Sequence, residues 1–137
     1  SYIDIQKARF GNRLTVEFGL DPACDLCLVP KLLLQPIIEN SIQYGLAVKR
    51  NIDILITGKV INNSLILSVK DNALGMEDYL AKELNKKLRK ATNETSSNGL
   101  YNIARRLQIQ YSPKSGIEIY NETGKGLTVT IRVDQTF

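Results

Sequence analysis

The sequence of 137 residues contains no histidine. Histidine is the side chain that most often exchanges protons near neutral pH, and it completes Ser-His-Asp and Cys-His nucleophilic sites. The chain alone therefore excludes those mechanisms, together with any metal centre that needs imidazole ligands.

Cysteine is scarce as well, since Cys24 and Cys27 are the only two. A single CxxC pair without further cysteine or histidine cannot complete a tetrahedral zinc site. A redox CxxC normally opens a helix after a strand, whereas this pair precedes Val29 and Pro30. We interpret both cysteines as small apolar residues near a helix start in a reducing compartment.

Long apolar runs are also missing. The longest apolar stretch, Leu26–Ile38, is interrupted by Lys31, Gln35 and two prolines, whereas a membrane-spanning helix needs about 20 apolar residues. The first ten residues alternate charged and apolar types, so no secretory signal is predicted. Because the chain begins with Ser1 instead of Met, we expect it to be a fragment of a longer protein.

Length and charge fit one mildly basic globular domain. Hydrophobic residues make up 43% of the chain, and 18 basic against 14 acidic residues leave a net charge of +4. Mild basicity suits a phosphate-bearing partner. The one dense basic cluster lies at 82–90, and the few aromatic residues do not interleave with basic ones as nucleic-acid stacking platforms do. We therefore interpret this cluster as a solvated helix face and predict no nucleic-acid binding.

The apolar spacing predicts the order helix, strand, helix, strand, strand, helix, helix, strand, strand. Helices grouped with hairpins predict an α/β (α+β) two-layer sandwich, with a mixed sheet of about five strands and helices on one face. The second helix is expected to stop at Gly45, because glycine often ends helices. A charged helix over Glu77–Lys90 is expected to carry a thin apolar stripe of Leu80, Leu84 and Leu88.

Three segments break local rules and attract attention. The first is Gln35–Gly45, where Glu39 and Asn40 interrupt an apolar helix. Asparagine is unfavourable inside helices because it competes for backbone hydrogen bonds. An Asn carbonyl that faces a cleft would suit Mg²⁺, which prefers oxygen ligands. The alternative is an asparagine on the solvent edge of the helix.

The second segment is Val69–Met76, which follows a predicted strand. Asp71 at the strand end can accept a hydrogen bond from an adenine amino group. The small residues Ala73 and Gly75 would allow the backbone to approach a flat ring. The alternative is an ordinary Asx turn.

The third segment is Ser96–Asn102, a loop of small residues that opens a helix. Backbone amides at a helix N-terminus bind phosphate well. The alternative is a simple N-cap formed by Ser97 or Asn98.

The order of these segments resembles the ATP-binding domain of the GHKL ATPases, which include gyrase B, the large heat-shock chaperone, MutL and histidine kinases. The chain is most similar to sensor histidine kinases of the LytS type. VPKLLLQPIIENSIQYG (Val29–Gly45) resembles the N box, VKDNALGM (Val69–Met76) the G1 box, and SNGLYNIARRLQIQY (Ser97–Tyr111) the G2 box. GKGLTVTIRV (Gly124–Val133) resembles the closing turn and strand, and YIDIQKARFGNRL (Tyr2–Leu14) the segment that follows the dimerisation helices.

The resemblance implies a domain organisation and an activity. Residues 1–12 would end a linker helix from a missing dimerisation domain, and residues 13–137 would form the GHKL domain. That domain would be the catalytic part of a histidine protein kinase, which transfers the γ-phosphoryl group of ATP to a histidine on the dimerisation domain. Without that histidine the fragment cannot phosphorylate itself. The alternative is a degenerate GHKL domain that serves as a non-catalytic signalling or docking module.

The resemblance also implies site residues. Asn40 would be the metal ligand, bound to Mg²⁺ that bridges the ATP phosphates, and Glu39 would help to position water or the metal. Asp71 would recognise the adenine amino group, and residues 77–98 would form a lid over ATP. The residues implied to bind the cofactor are Asn40, Tyr44, Asp71, Gly75, Met76, Ser97, Gly99, Leu100 and Thr128.

The partners follow from the resemblance alone. They are the upstream dimerisation and phosphoacceptor domain and a response regulator. The full-length protein would be a homodimer, reaching the membrane only through missing regions. The present chain would be a cytoplasmic domain of a membrane-attached sensor kinase.

Several positions depart from the family pattern, and four of them bear most directly on the nucleotide site. Gln43 replaces a lysine of the N box, Ala73 and Ser97 replace the first glycines of the G1 and G2 boxes, and Leu127 replaces Thr or Ser after the closing turn. A hydrogen bond from a charged group contributes about 1.5–3 kcal/mol, so the loss of one phosphate contact costs about one to two decades in affinity. We therefore expect weak ATP binding.

Overall fold

The computed structural model describes residues 2–21, 31–89, 99–112 and 114–134. The helices are α1 (Tyr2–Phe10), α2 (Lys31–Val48), α3 (Asp78–Arg89) and α4 (Gly99–Gln110), with a short 3-10 turn at Gly11–Arg13. The strands are β1 (Leu14–Leu20), β2 (Ile52–Ile61), β3 (Ser64–Asp71), β4 (Gly116–Glu122) and β5 (Gly126–Asp134). The predicted order of elements is confirmed. Cys24, Cys27 and Ser97 lie outside the described residues.

The five strands form one mixed sheet in the order β1-β2-β3-β5-β4. β1 pairs parallel with β2, and the other three pairs are antiparallel. The β2–β3 hairpin turns at Asn62 and Asn63, where Asn62 adopts a left-handed φ of 55°. The predicted two-layer α/β fold with a mixed five-stranded sheet is therefore confirmed.

Strand alternation gives the sheet one buried side and one open side. The buried side carries aliphatic residues from all five strands, such as Val16, Ile54, Val69, Ile119 and Ile131. Helices α2 and α4 pack on this side, and their residues Ile37, Ile42, Ala104 and Leu107 complete the core. No helix in the described part of the chain is long and apolar enough to cross a membrane.

Helix α2 continues past Gly45 to Val48, so the predicted stop was wrong. Gly45 is buried inside the helix, where a Cβ atom would lie 2.7 Å from Ile52 Cδ1 and 2.8 Å from Ile52 Cγ2. Glycine at this position therefore allows α2 to approach β2 closely instead of ending the helix.

Helix α3 lies along the edge strand β4. Its buried residues are Ala81 and Leu88, whereas Leu80 of the predicted stripe is 43% exposed. Asn85 donates from Nδ2 to the carbonyl oxygen of Ile119 at 2.9 Å, and its Oδ1 accepts from the Ile119 N–H at 2.8 Å. This side chain occupies backbone groups of an edge strand, which would otherwise be open to pairing with another chain.

Candidate functional site

A cleft of about 310 Å³ opens between α2, the loop after β3, and the starts of α4 and β5. Six of the nine residues implied to bind the cofactor line it: Asn40, Tyr44, Asp71, Gly75, Met76 and Leu100. Its remaining walls are mainly aliphatic, and its volume is at the lower end of the range for small-molecule sites. The structure therefore gathers three segments that are far apart in sequence around one cavity.

Asp71 is the buried carboxylate of this cleft. It ends β3 on the buried side of the sheet and is 7% exposed. Its Oδ1 accepts hydrogen bonds from the N–H groups of Ala73 at 3.1 Å and Leu127 at 3.2 Å. No described residue donates to Oδ2, so this oxygen remains available to a ligand's amino group.

The pKa of Asp71 reflects two opposing effects. Burial disfavours the charged carboxylate and raises the pKa above the ordinary value of 3.8. The two backbone hydrogen bonds favour the charged form and lower the pKa, but burial is the larger effect. The carboxyl group is thus a poorly solvated acceptor whose orientation is fixed by the backbone.

The loop after β3 reaches the cleft through a glycine in the left-handed region. Gly75 has a φ of +67°, and a Cβ there would lie 2.9 Å or less from Asn121 Oδ1 and from the carbonyl oxygens of Glu122 and Gly126. Both the conformation and the space demand glycine. Ala73, in contrast, has no positive φ and its side chain is buried, so the methyl group fits the loop.

The same loop is held from both sides by residues that the sequence reasoning missed. Behind it, Lys49 Nζ donates to the Asn72 carbonyl oxygen at 2.8 Å, and Asn72 Oδ1 accepts from the Asp53 N–H at 2.8 Å. In front, Asn121 bonds both backbone groups of Met76. Asparagine is depleted in strands, and this was the signal that could have identified Asn121.

Asn40 faces the start of α4 across the cleft. Its Nδ2 lies 3.8 Å from the position that a Cβ on Gly99 would occupy. Glu39 does not line the cleft and instead accepts a hydrogen bond of 3.4 Å from Gln43 Nε2, one helical turn further on. Asn40 and the first turn of α4 therefore form one end of the cleft.

Thr128 is not brought to the cleft. Its register partners Lys70 and Tyr120 are exposed, so Thr128 belongs to the open side of the sheet. Its neighbours Leu127 and Val129 line the cleft instead. Successive residues of a strand point to opposite faces of the sheet. A site on one face therefore cannot use the side chains of Leu127, Thr128 and Val129 together.

The donor set of the cleft does not form a metal cage. Within the described ranges, no group of three or more His, Cys, Asp or Glu side chains could hold a metal ion. The carbonyl oxygen of Asn40 can supply one ligand, which fits Mg²⁺ because this ion usually takes most of its ligands from phosphate and water.

No protein-family model matches the sequence. Several curated relatives align with nearly the whole chain. The sensor histidine kinase YesM of Bacillus subtilis is 32% identical over 133 residues, and the sensor protein LytS of Oceanobacillus iheyensis is 34% identical over 131 residues. These alignments cover 96% and 94% of this chain but 22% of each relative, so the chain spans about a fifth of their length.

Solved structures show the same fold at lower identity. The nucleotide-free catalytic domain of histidine kinase ThkA matches with a TM-score of 0.67 at 16% identity, covering 99% of this chain and 90% of that one. Full-length ShkA in complex with AMPPNP matches with a TM-score of 0.61 at 16% identity, covering 97% and 28%. ThkA in complex with the response regulator protein TrrA matches with a TM-score of 0.63 at 14% identity, covering 98% and 37%.

The cleft, the topology and the relatives agree with one another. The N-box, G1-box and G2-box segments surround a single cavity, as the resemblance implies. The chain is similar in sequence to part of the sensor histidine kinases YesM and LytS and in fold to histidine kinase catalytic domains, and both likenesses are consistent with a GHKL-type domain.

Proposed function

We propose that the cleft binds ATP and that this domain is the catalytic part of a two-component histidine kinase. The observation that carries the proposal is the hydrogen bonding of the Asp71 carboxylate. A buried carboxylate has one oxygen held by two backbone N–H groups and the other without a described donor, at the wall of the cleft. Such an acceptor is costly to bury, and a ligand that donates a hydrogen bond compensates the cost.

The chemistry of Asp71 favours adenine over guanine. Adenine presents an amino group where guanine presents a carbonyl oxygen. A carboxylate accepts from the amino group and repels the carbonyl, and buried polar groups left unpaired discriminate strongly between ligands. Gly75 and Met76 would contact the base, since both line the same wall.

The other end of the cleft suits the phosphates. Gly99 and Leu100 begin α4, and the positive end of the helix dipole at an N-terminus favours phosphate oxygens. Asn40 would hold Mg²⁺, whose charge would offset that of the phosphate oxygens. Glu39 would act one step away by holding Gln43 at the cleft wall.

The acceptor and the partners lie outside this chain. The γ-phosphoryl group would pass to a histidine of a separate dimerisation domain, because the chain has no histidine. The ThkA–TrrA complex supports a response regulator as the next partner. Attachment to a membrane and assembly as a homodimer would belong to the parts of the protein beyond this chain.

One observation favours the alternative of a non-catalytic signalling or docking module. None of the described residues that line the cleft is basic, and Gln43 bonds to Glu39 where the family pattern has lysine. The phosphate end therefore lacks a fixed positive charge. This feature predicts weak binding of ATP by a catalytic domain, whereas a docking module need not bind ATP at all.

The test is a calorimetric titration of the domain with Mg²⁺ and AMPPNP. We expect measurable affinity in the micromolar to millimolar range, weakened at least tenfold by Asp71→Asn. Asp134→Asn is a matched control, because Asp134 is also a buried carboxylate but lies at the opposite end of the sheet. The absence of both heat and thermal stabilisation at millimolar nucleotide would contradict ATP binding and leave the docking module.

A further inference from the structure

The turn between β4 and β5 is bonded to the loop after β3, although the two segments are far apart in sequence. Asn121, near the end of β4, makes both bonds to one residue of the loop. Its Oδ1 accepts from the Met76 N–H at 2.8 Å, and its Nδ2 donates to the Met76 carbonyl oxygen at 2.7 Å. A side-chain amide thus satisfies both backbone groups of Met76, as a neighbouring strand would.

Further contacts of the turn reinforce this pair. Thr123 Oγ1 lies 3.0 Å from the Met76 carbonyl oxygen and 3.2 Å from Asp78 Oδ1. The Gly124 N–H donates to the Leu74 carbonyl oxygen at 2.7 Å. We call Asn121, Thr123 and Gly124 the latch, because together they bond the backbone on both sides of Gly75.

The latch also touches Gly75 itself. A Cβ on Gly75 would lie 2.6 Å from Asn121 Oδ1, so the loop is in close contact with the amide of Asn121. Gly75 and Met76 line the cleft on the same side as Asp71. The position of this wall therefore depends on Asn121, which does not itself line the cleft.

We propose that Asn121 is a positioning residue for the base end of the cleft: it holds Gly75 and Met76 in the shape that accepts adenine. The proposal rests on the proposed binding of ATP. Asp71 is oriented independently, by the N–H groups of Ala73 and Leu127. The loss of Asn121 should therefore affect the fit of the purine and leave the carboxylate in place.

The experiment compares Asn121→Ala with Asn85→Ala. Asn85 is a matched control because its side-chain amide also bonds both backbone groups of a single residue. That residue is Ile119 of β4, at 2.8 and 2.9 Å, and the bonds do not involve the loop. The domain is titrated with Mg²⁺ and AMPPNP, and then with the analogue whose base is hypoxanthine, which carries a carbonyl in place of the adenine amino group. Both variants should lose thermal stability.

Only Asn121→Ala should change the selectivity. We expect its affinity for AMPPNP to fall about tenfold and its preference for adenine over hypoxanthine to shrink, whereas Asn85→Ala keeps the wild-type preference. Wild-type affinity and preference in Asn121→Ala, or an equal loss in both variants, would overturn the proposal. If Asn121→Ala fails to fold, Asn121→Ser, whose hydroxyl group on Cβ is too short to make both bonds to Met76, takes its place.

Hydrogen exchange separates a failure of this inference from a failure of ATP binding. In the nucleotide-free domain, the amide of Met76 should exchange faster in Asn121→Ala than in the wild type or in Asn85→Ala. A wild type that binds neither nucleotide would overturn the proposed function. The exchange rate of Met76 would then still decide whether Asn121 holds the loop, and an unchanged rate would overturn that too.

Discussion

Burial and hydrogen bonding act on the carboxyl group of Asp71 in opposite directions. A charged carboxylate removed from water is costly, and two backbone N–H groups recover part of the cost on one oxygen only. The other oxygen has no donor among the described residues, and the amino group of a bound base would supply one. Ligand binding should therefore favour the ionised form more than the empty cleft does.

The binding of AMPPNP should therefore depend on pH. The pKa of Asp71 in the empty domain lies above 3.8, so lowering the pH through that raised pKa should weaken AMPPNP binding in the wild type. The corresponding decline should be absent in Asp71→Asn. Titration of the Asp71 carboxyl by NMR, with and without AMPPNP, should show a lower pKa in the complex. A pKa at or below 3.8 in the empty domain would contradict the prediction.

A lower pH weakens AMPPNP binding through Asp71, but it has the opposite effect on the stability of the folded domain. Because the pKa is higher in the folded than in the unfolded chain, the folded state binds the proton more tightly. The stability that this group contributes is therefore complete below pH 3.8 and is lost as the pH rises through the folded pKa. Denaturation by urea across this pH range, with Asp71→Asn as reference, measures the difference.

At the scale of elements, local patterns in the sequence predicted the order of helices and strands. Tertiary contacts decided where α2 ends and which residues support the loop after β3. Alternating residues and turn signals specify each strand locally, so their order followed from the sequence. The end of α2 did not, because Gly45 serves a contact with Ile52 on the next strand. Motif positions such as Asn40 and Asp71 could be named in advance as residues of one site. The supporting role of Asn121 could not, because it depends on register between distant segments.

Gly45 tests this distinction between a helix stop and a packing position. Alanine is favoured over glycine inside a helix by about 1 kcal/mol. Its Cβ would, however, lie 2.7 and 2.8 Å from two carbons of Ile52, and overpacking of a core costs about 1–3 kcal/mol. We expect Gly45→Ala to lower the free energy of unfolding by up to about 2 kcal/mol, as measured by urea denaturation.

A double mutant provides the control for Gly45→Ala. Ile52→Val removes the methyl group at Cδ1, so the cost of Gly45→Ala should be smaller in the Ile52→Val background than in the wild type. Equal costs in both backgrounds, or a gain in stability from Gly45→Ala alone, would show that contact with Ile52 is not the reason for the glycine.

At the scale of the whole molecule, the positive charge of the chain is not located at the cleft. The chain carries a net charge of +4, yet none of the described residues lining the cleft is basic. The cations of α3 lie on its exposed face, and Lys49 reaches the back of the loop after β3, where it bonds to Asn72. The overall charge can attract a nucleotide over a distance, but it gives the phosphates no fixed partner within the cleft.

A lysine at position 43 should supply that partner. Gln43 lines the cleft on α2, and its present hydrogen bond to Glu39 is long at 3.4 Å. We expect Gln43→Lys to tighten the binding of AMPPNP about tenfold at low salt, because a charged hydrogen bond contributes about 1.5–3 kcal/mol and Glu39 would compete for the new cation.

Gln43→Met, of similar length but uncharged, is the matched control. Titrations at two salt concentrations should show the gain shrinking as screening increases. If Gln43→Lys binds no more tightly than Gln43→Met, the new cation does not reach the phosphates, and the absence of lysine at this position is not what limits affinity.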